Sequence, residues 1–285
     1  GGGLYQQINE LCAERGVSEI AVEADTMTLA EADELSEKLD CKLDRSRALS
    51  ELIGEIRVIK TPEQIEKVIE AQRIAERGFE HMLDFIREGV TEKEIQLELD
   101  YFMLRNGAEG LSFDTIALSG ANTAMPHGIP TDKPVKRGEF VLMDFGALAD
   151  GWHSDMTRTV ALGEPSEKMR EVYDIVLKAQ AAGINAARAG IKGCELDKVA
   201  RDYIAAHGYG EYFGHSLGHG VGMEIHEAPT ASPTCENVLE DGMIVTVEPG
   251  IYIEGEFDVR IEDFVVIREN GCENMTRAEK SLIIL

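Results

Sequence analysis

Four acidic residues sit inside apolar strands, where a carboxylate is hard to keep. Asp144 lies in the middle of Val141-Leu142-Met143-Asp144-Phe145-Gly146, and Asp155 lies on the return stretch Ser154-Asp155-Met156-Thr157-Arg158-Thr159, 11 positions later. If Ala149-Asp150 is the two-residue turn, Asp144 faces Asp155. If the turn is Asp150-Gly151, Asp155 faces Gly146, which shares a strand face with Asp144. Either register puts both carboxylates on one face, about 5–8 Å apart. Like charges so close are destabilising unless something compensates them, and a divalent cation does so. Taken alone, the pair is more simply a solvated acidic hairpin with Arg158 as partner. Glu248 ends the run Met243-Ile244-Val245-Thr246-Val247-Glu248, and Glu262 interrupts Val259-Arg260-Ile261-Glu262-Asp263-Phe264 14 positions later. A strand buried on both faces is an expensive place for an unpaired carboxylate. An ion pair with the neighbouring Arg260 is the plainer reading of that pair.

Between the two acidic pairs runs His215-Ser216-Leu217-Gly218-His219-Gly220-Val221-Gly222-Met223-Glu224-Ile225-His226, which holds three of the seven histidines. Its glycines permit close backbone or ligand approach and oppose a regular helix. Imidazole ligates metals and moves protons near neutral pH. Spacing does not choose among the three. Four carboxylates and one imidazole suit two divalent cations, which together polarise a carbonyl and activate water when about 3.5–4 Å apart. Oxygen-rich ligation leans toward manganese, while imidazole admits cobalt, iron or zinc.

The totals narrow the setting. A net charge of −25 and a pI near 4.6 oppose a nucleic-acid partner and favour solubility. No run of about 18 apolar residues predicts a membrane span, and the first residues carry no basic or apolar leader pattern. Five cysteines, an odd number without zinc-knuckle or redox spacing, point to a reducing, cytoplasmic compartment.

The elements that must position these residues follow from periodicity and caps. Residues 4–15 read as a helix, 19–23 as a strand, 29–38 as a helix and 40–57 as mixed. This stretch is small for an independent core. Thr61-Pro62-Glu63-Gln64 opens a helix with a cap, a first-position proline and a capping glutamine. Ile65, Val68, Ile69, Ala75, Phe79, Met82, Leu83 and Ile86 give that helix one buried face. Thr91-Glu92-Lys93-Glu94 opens a second helix, to about Leu104, that ends at Asn106-Gly107. Two more helices are predicted over 167–187, capped by Ser166, and 195–207. Strands are predicted over 139–148 and 152–162 around Asp150-Gly151, then over 243–247, 251–253, 259–267 and 281–285. Helices followed by hairpins, twice over, predict an α+β domain with antiparallel sheet.

From about residue 58 onward these segments resemble the metallopeptidases of the pita-bread fold (family M24). The resemblance implies that fold: a curved antiparallel sheet flanked by helices over 58–285, preceded at 1–57 by the C-terminal part of a creatinase-like α/β domain. It implies metal ligation by Asp144, Asp155, His219, Glu248 and Glu262; the choice of His219 over its neighbours rests on it. Ser154-Asp155-Met156-Thr157-Arg158-Thr159 and Val259-Arg260-Ile261-Glu262 are similar to the proline-specific branch, prolidase and aminopeptidase P. That branch implies catalytic or substrate roles for His127, in Asn122-Thr123-Ala124-Met125-Pro126-His127-Gly128, and for His215, His226 and Glu248. Tyr252 and Arg260 match a relay pair. Trp152 and Asp258 depart from the family, which commonly has tyrosine and glycine there. The implied activity is cleavage before proline in short peptides, as an Xaa-Pro dipeptidase or alternatively an Xaa-Pro aminopeptidase, in a homodimer. The wider spacing of the last two glutamates in methionine aminopeptidases counts against that branch. The intact ligand set counts against creatinase-like hydrolases and non-enzymatic pita-bread binding proteins.

Overall fold

A computed structural model describes residues 3–285. It contains two compact units, Gly1–Arg57 and Val58–Leu285. In the first, α1 (Leu4–Arg15) leads to β1 (Glu19–Ala21), α2 (Leu29–Lys38), β2 (Lys42–Asp44) and α3 (Ala48–Val58). β1 and β2 pair in parallel with α2 between them in sequence, a small α/β arrangement. The mixed stretch 40–57 thus resolves into β2 and α3, and β1 is shorter than its predicted 19–23.

In the second unit, α4 (Pro62–Phe85) and α5 (Glu92–Arg105) begin at the expected capping boxes, Thr61 with Gln64 and Thr91 with Glu94. Each box satisfies donors that the first helical turn leaves unpaired. α4 buries Ile65, Val68, Ala75, Phe79 and Met82 as its periodicity requires. Gly78 lets α5 come close: a Cβ there would lie 2.9 Å from the Leu99 side chain. Two short strands follow, β3 (Gly110–Leu111) and β4 (Ile116–Ser119), neither marked by periodicity. The first long hairpin comprises β5 (Glu139–Phe145), β6 (Ala147–Ala149), β7 (Trp152–His153) and β8 (Met156–Leu162). Then come α6 (Glu167–Ala186), capped by Ser166, and α7 (Gly193–Ala206). β9 (Gly218–Gly220) and β10 (Glu227–Ala231) form an antiparallel pair. The last block is β11 (Ile244–Val247), β12 (Gly250–Ile253), β13 (Phe257–Arg260), β14 (Asp263–Arg268) and β15 (Gly271–Asn274). The fold is α+β, and every ladder between strands of this unit is antiparallel.

Both hairpins share one design. β5 pairs β8 and β6 pairs β7 in a continuous register, with the ladder broken between them. That register makes Asp150-Gly151 the turn and sets Gly146 opposite Asp155, the second of the two registers considered from sequence. Likewise β11–β14 and β12–β13 share one register with a break between, which sets Glu248 opposite Glu262. The predicted strands 139–148 and 152–162 are therefore each interrupted, at Gly146 and at Ser154-Asp155. At the first break the Ala147 N–H bonds Ser154 Oγ at 2.9 Å, a side chain standing in for a ladder carbonyl.

Two further expectations need correction. Residues 281–285 form no strand of a sheet and touch β8 through one parallel bridge, Ala161 with Ile284. The Ala161 N–H donates to the Ile283 carbonyl and the Leu285 N–H to the Ala161 carbonyl, while Arg158 donates to the carbonyls of Ala278 and Glu279 just before the segment. Nor does Arg158 partner the acidic hairpin. It is fully buried on the other face of β8 and pairs Asp263 at 2.7 Å, so the plainer reading of Asp144 and Asp155 fails.

One core lies between α6, α7 and the C-terminal strands, another between α4, α5 and the first hairpin. The acidic breaks open between these two cores. Gly146 is where the first hairpin tolerates no side chain: a Cβ would sit 1.9 Å from the Ser154 carbonyl oxygen. Gly146→Ala is therefore expected to cost about 1–3 kcal/mol of stability, as overpacking does. Urea denaturation should show a lower midpoint with an unchanged slope.

Candidate metal centre

Five elements deliver the residues. β5 carries Asp144, the break before β8 carries Asp155, β9 carries His219, the break after β11 carries Glu248, and the break before β14 carries Glu262. One donor atom each from Asp155, His219 and Glu262 lies within 4.8 Å of the others. His219 Nε2 stands 3.3 Å from Glu248 Oε1 and 3.4 Å from Asp155 Oδ2. Its Nδ1 lies 3.1 Å from the Gly220 carbonyl. A carbonyl only accepts, so Nδ1 carries the proton and Nε2 is the nitrogen turned toward the carboxylates. Thr246 Oγ1 accepts from the His219 N–H and donates to Glu248 Oε1, both at 3.0 Å, locking these two residues together.

Asp144 joins from the other side. Its Oδ2 accepts from Arg260 Nη2 at 2.6 Å. The same guanidinium donates through Nη1 to Tyr252 Oη at 2.7 Å and through Nε to Thr157 Oγ1 at 3.1 Å. Thr157 in turn donates to Glu262 Oε2 at 2.7 Å. Tyr252 Oη reaches His215 Nε2 at 2.8 Å, while His215 Nδ1 meets the Ser216 carbonyl at 2.8 Å. Donors and acceptors are then consistent along Arg260, Tyr252 and His215, and both His215 nitrogens are engaged. The His226 ring centroid lies 4.3 Å from that of His219. His127 sits on an exposed loop. All ten residues singled out from the sequence line one cleft of about 840 Å³, whose lining also includes the apolar Phe113, Ile116, Ile129 and Pro130. Trp152 and Asp258, the two departures, do not line it; Trp152 packs in a small separate core.

The electrostatics are those of a site short of positive charge. Burial, then the charges of Glu262, Asp144 and Glu248, push the Asp155 carboxyl well above its usual range. Burial, then Glu248 and Asp144, do the same to Glu262, and burial raises Asp144. Burial opposes ionisation of Glu248, but the hydrogen bond and charge of His219 outweigh it and hold that carboxyl at about 2. Burial likewise works against the His219 cation, yet Glu248 lifts it to about 9. Asp155 Oδ1 and Glu262 Oε1 are buried without a hydrogen-bond partner. Buried polar atoms are rarely left so. Carboxylates gathered round one imidazole, with the second oxygen of Asp155 and one oxygen of Glu262 orphaned, fit the donor set of a divalent cation.

Comparison with known proteins decides the family. Residues 66–269 match the metallopeptidase family M24. The chain belongs to that family. It is similar to an Xaa-Pro dipeptidase of Pyrococcus furiosus, 45% identical over 258 residues that cover 90% of this chain and 74% of the relative. Among solved structures it superposes on an Xaa-Pro dipeptidase from Bacillus anthracis with a TM-score of 0.96 at 46% identity, covering 100% of this chain and 79% of the other. An X-Pro aminopeptidase from Thermotoga maritima gives a TM-score of 0.93 at 40% identity, covering 100% and 80%. This M24 chain therefore has the pita-bread fold and is a metallopeptidase.

Sequence reasoning missed Thr157 and Thr246, which fasten the acidic residues to each other. Each hydroxyl lies two residues from a carboxylate on the same strand face, a spacing that could have flagged them. It also passed over what the departure at 258 entails: Asp258 is fully buried, faces Tyr252 across the β12–β13 ladder, and has no hydrogen-bond partner for either oxygen.

Metal loading of this M24 centre should release protons. Asp155 and Glu262 are raised, so they hold protons to higher pH than free carboxyls, and His219 is protonated up to about 9. Ligation requires the deprotonated forms. Manganese affinity is expected to fall as pH falls from 9 toward 6. Calorimetry at pH 7 in buffers of different ionisation enthalpy should count at least one proton released per chain; a count of zero contradicts the electrostatics described.

Proposed function

We propose that this chain hydrolyses the peptide bond before proline in Xaa-Pro dipeptides, with two divalent cations held by Asp144, Asp155, His219, Glu248 and Glu262. The observation that carries this reading is the convergence of buried carboxylates on His219 Nε2, with orphaned oxygens on Asp155 and Glu262. When bound, the cations supply Lewis-acid polarisation of the scissile carbonyl and acidify the attacking water. Manganese suits the oxygen-rich donor set, and cobalt, iron or zinc could replace it. Five free cysteines fit a reducing compartment.

The protein's own groups do the rest. Glu248, held ionised beside His219, accepts the proton of the attacking water and passes it to the leaving nitrogen. His226, whose basicity burial and then His219 lower, offers a neutral N–H to the developing oxyanion. His215 is fixed by Tyr252 and kept neutral chiefly by burial, so it presents a ring wall rather than a charge. His127 and the apolar wall receive the proline end. A prolyl nitrogen has no N–H to grip, so recognition must rest on ring shape. The apolar lining at Phe113, Ile116, Ile129 and Pro130 supports this.

The likeness to the Thermotoga maritima X-Pro aminopeptidase favours a second reading, in which the substrate extends past proline. Manganese-loaded protein assayed on an Xaa-Pro dipeptide and an Xaa-Pro-Yaa tripeptide side by side separates the two. Turnover of the dipeptide alone is expected, and preference for the tripeptide establishes the second reading. Asp155→Asn should lose metal and turnover with an unchanged circular dichroism spectrum. Full activity in that variant would sink the assignment.

A further inference from the structure

The metal-facing side of the cleft is carried by strands and the breaks between them, but part of the lining is the loop 120–130, which carries Pro126, His127, Ile129 and Pro130. Its outer residues have little packing: Met125 is 45% and Ile129 80% exposed. Something must fix where it stands. Both stems of the loop end on a single side chain, Glu92, which is fully buried in the first turn of α5. Glu92 Oε1 accepts from the Ser119 N–H at 2.8 Å, Ser119 Oγ at 3.0 Å and Asn122 Nδ2 at 3.0 Å. Oε2 accepts from Thr131 Oγ1 at 2.7 Å, the Thr131 N–H at 3.1 Å and Asn122 Nδ2 at 3.2 Å. Backbone bonds reinforce the second stem: the Glu92 and Lys93 N–H groups donate to the carbonyls of Lys133 and Thr131.

The helix does not need Glu92 for its own sake, because Thr91 and Glu94 already form its capping box. Desolvating a carboxylate is costly unless it is fully hydrogen-bonded. Here the bonds go to the two stems of one loop rather than to the helix. Farther along, Thr123 Oγ1 accepts from the Asp258 N–H at 2.7 Å, which holds the loop's first turn but not the stretch from Met125 to Pro130.

We propose that Glu92 is a positioning residue: by tying both stems of the 120–130 loop it sets where His127 stands over the cleft, and so how tightly the proline end of the substrate is held. The inference rests on the Xaa-Pro reading of the site. It predicts an effect on substrate binding that runs through His127, with the metal site untouched.

Glu92→Gln keeps the shape but turns an N–H₂ toward one set of donors, which releases one stem. Kinetics on an Xaa-Pro dipeptide should show KM raised several-fold with kcat within about twofold, the signature of lost binding shared by ground and transition states. Metal content by elemental analysis should be unchanged. In a His127→Ala background, adding Glu92→Gln should raise KM no further, because residues that act as a unit are not additive. Thr131→Val, which removes one hydroxyl donor, should move KM in the same direction by less and covers the case in which Glu92→Gln folds poorly. Additive effects of Glu92→Gln and His127→Ala, an unchanged KM, or loss of metal would each overturn the proposal. Hydrogen exchange of residues 119–131 needs no substrate, so it tests the positioning even if the wild-type protein fails on Xaa-Pro peptides and the function proposed above falls. Faster exchange confined to that segment in Glu92→Gln supports the proposal; unchanged exchange rejects it.

Discussion

The structure depends on a repulsion it does not resolve with its own charges. Asp144, Asp155, Glu248 and Glu262 are drawn into one cleft, and Arg260 is the one arginine or lysine lining it. Coulomb energies between such groups grow as water is excluded, and without a compensating cation burial and the neighbouring carboxylates push the Asp155 and Glu262 carboxyls well above their usual range. Each of the three guanidinium nitrogens of Arg260 donates, to Asp144, Tyr252 and Thr157, so Arg260 bonds Asp144 directly and reaches Glu262 through Thr157. His219 settles Glu248. Asp155 and the free oxygen of Glu262 are left for a cation from outside the chain.

Holding that arrangement is the task of the two interrupted hairpins. A regular antiparallel ladder ties alternate residues of each strand to its neighbour and leaves side chains alternating out of the sheet. Breaking each ladder at the carboxylate, without shifting register, frees the chain to turn while the strands on both sides keep the residue in place. The close approach of Gly146 to the Ser154 carbonyl, and of Gly218 to the Thr246 carbonyl at 1.9 Å from a notional Cβ, shows how tightly neighbouring strands press at these points. Thr157 and Thr246 fill the gaps with hydroxyls that accept from one side and donate to the other. The result is a set of acidic residues on strands or in one- to two-residue breaks flanked by paired strands, the kind of support that precise positioning needs.

Much of this was legible beforehand, and for identifiable reasons. The capping boxes at Thr61 and Thr91 and the buried stripe of α4 rest on local rules, and each stands where those rules put it. The parity argument for Asp144 and Asp155 survived because the hairpin closes on an unbulged two-residue turn, Asp150-Gly151; a one-residue bulge in that loop would have reversed it. Burial alone marked Glu248 and Glu262 as out of place. What sequence could not give was non-local. Arg158 looked like a partner for the acidic hairpin because it is near in sequence, but strand alternation points it to the opposite face and into Asp263. The 281–285 segment has strand composition, but its backbone pairs with β8 at a single bridge, Ala161 with Ile284, too short a ladder to make a strand. His219 could not be chosen over His215 and His226 by spacing, since all three lie in one glycine-rich stretch. The distinction comes from what each second nitrogen meets: carboxylates at His219, the Tyr252 hydroxyl at His215.

The same contrast separates the two jobs the cleft must do. The acidic residues sit on strands or at ladder breaks whose flanking strands are packed into the cores. The apolar wall is built partly on a loop held at its stems, where geometry is set by a few strong hydrogen bonds to one buried carboxylate. A metallopeptidase tolerates little error in the first, because a charge misplaced by an ångström in a dry site changes every neighbouring ionisation. The second can vary without disturbing the charges, because a ring-shaped end group is recognised by contact area. The acidic cluster and the apolar lining of the 120–130 loop are thus anchored in different ways, the first by flanking strand ladders and the second by hydrogen bonds at its stems.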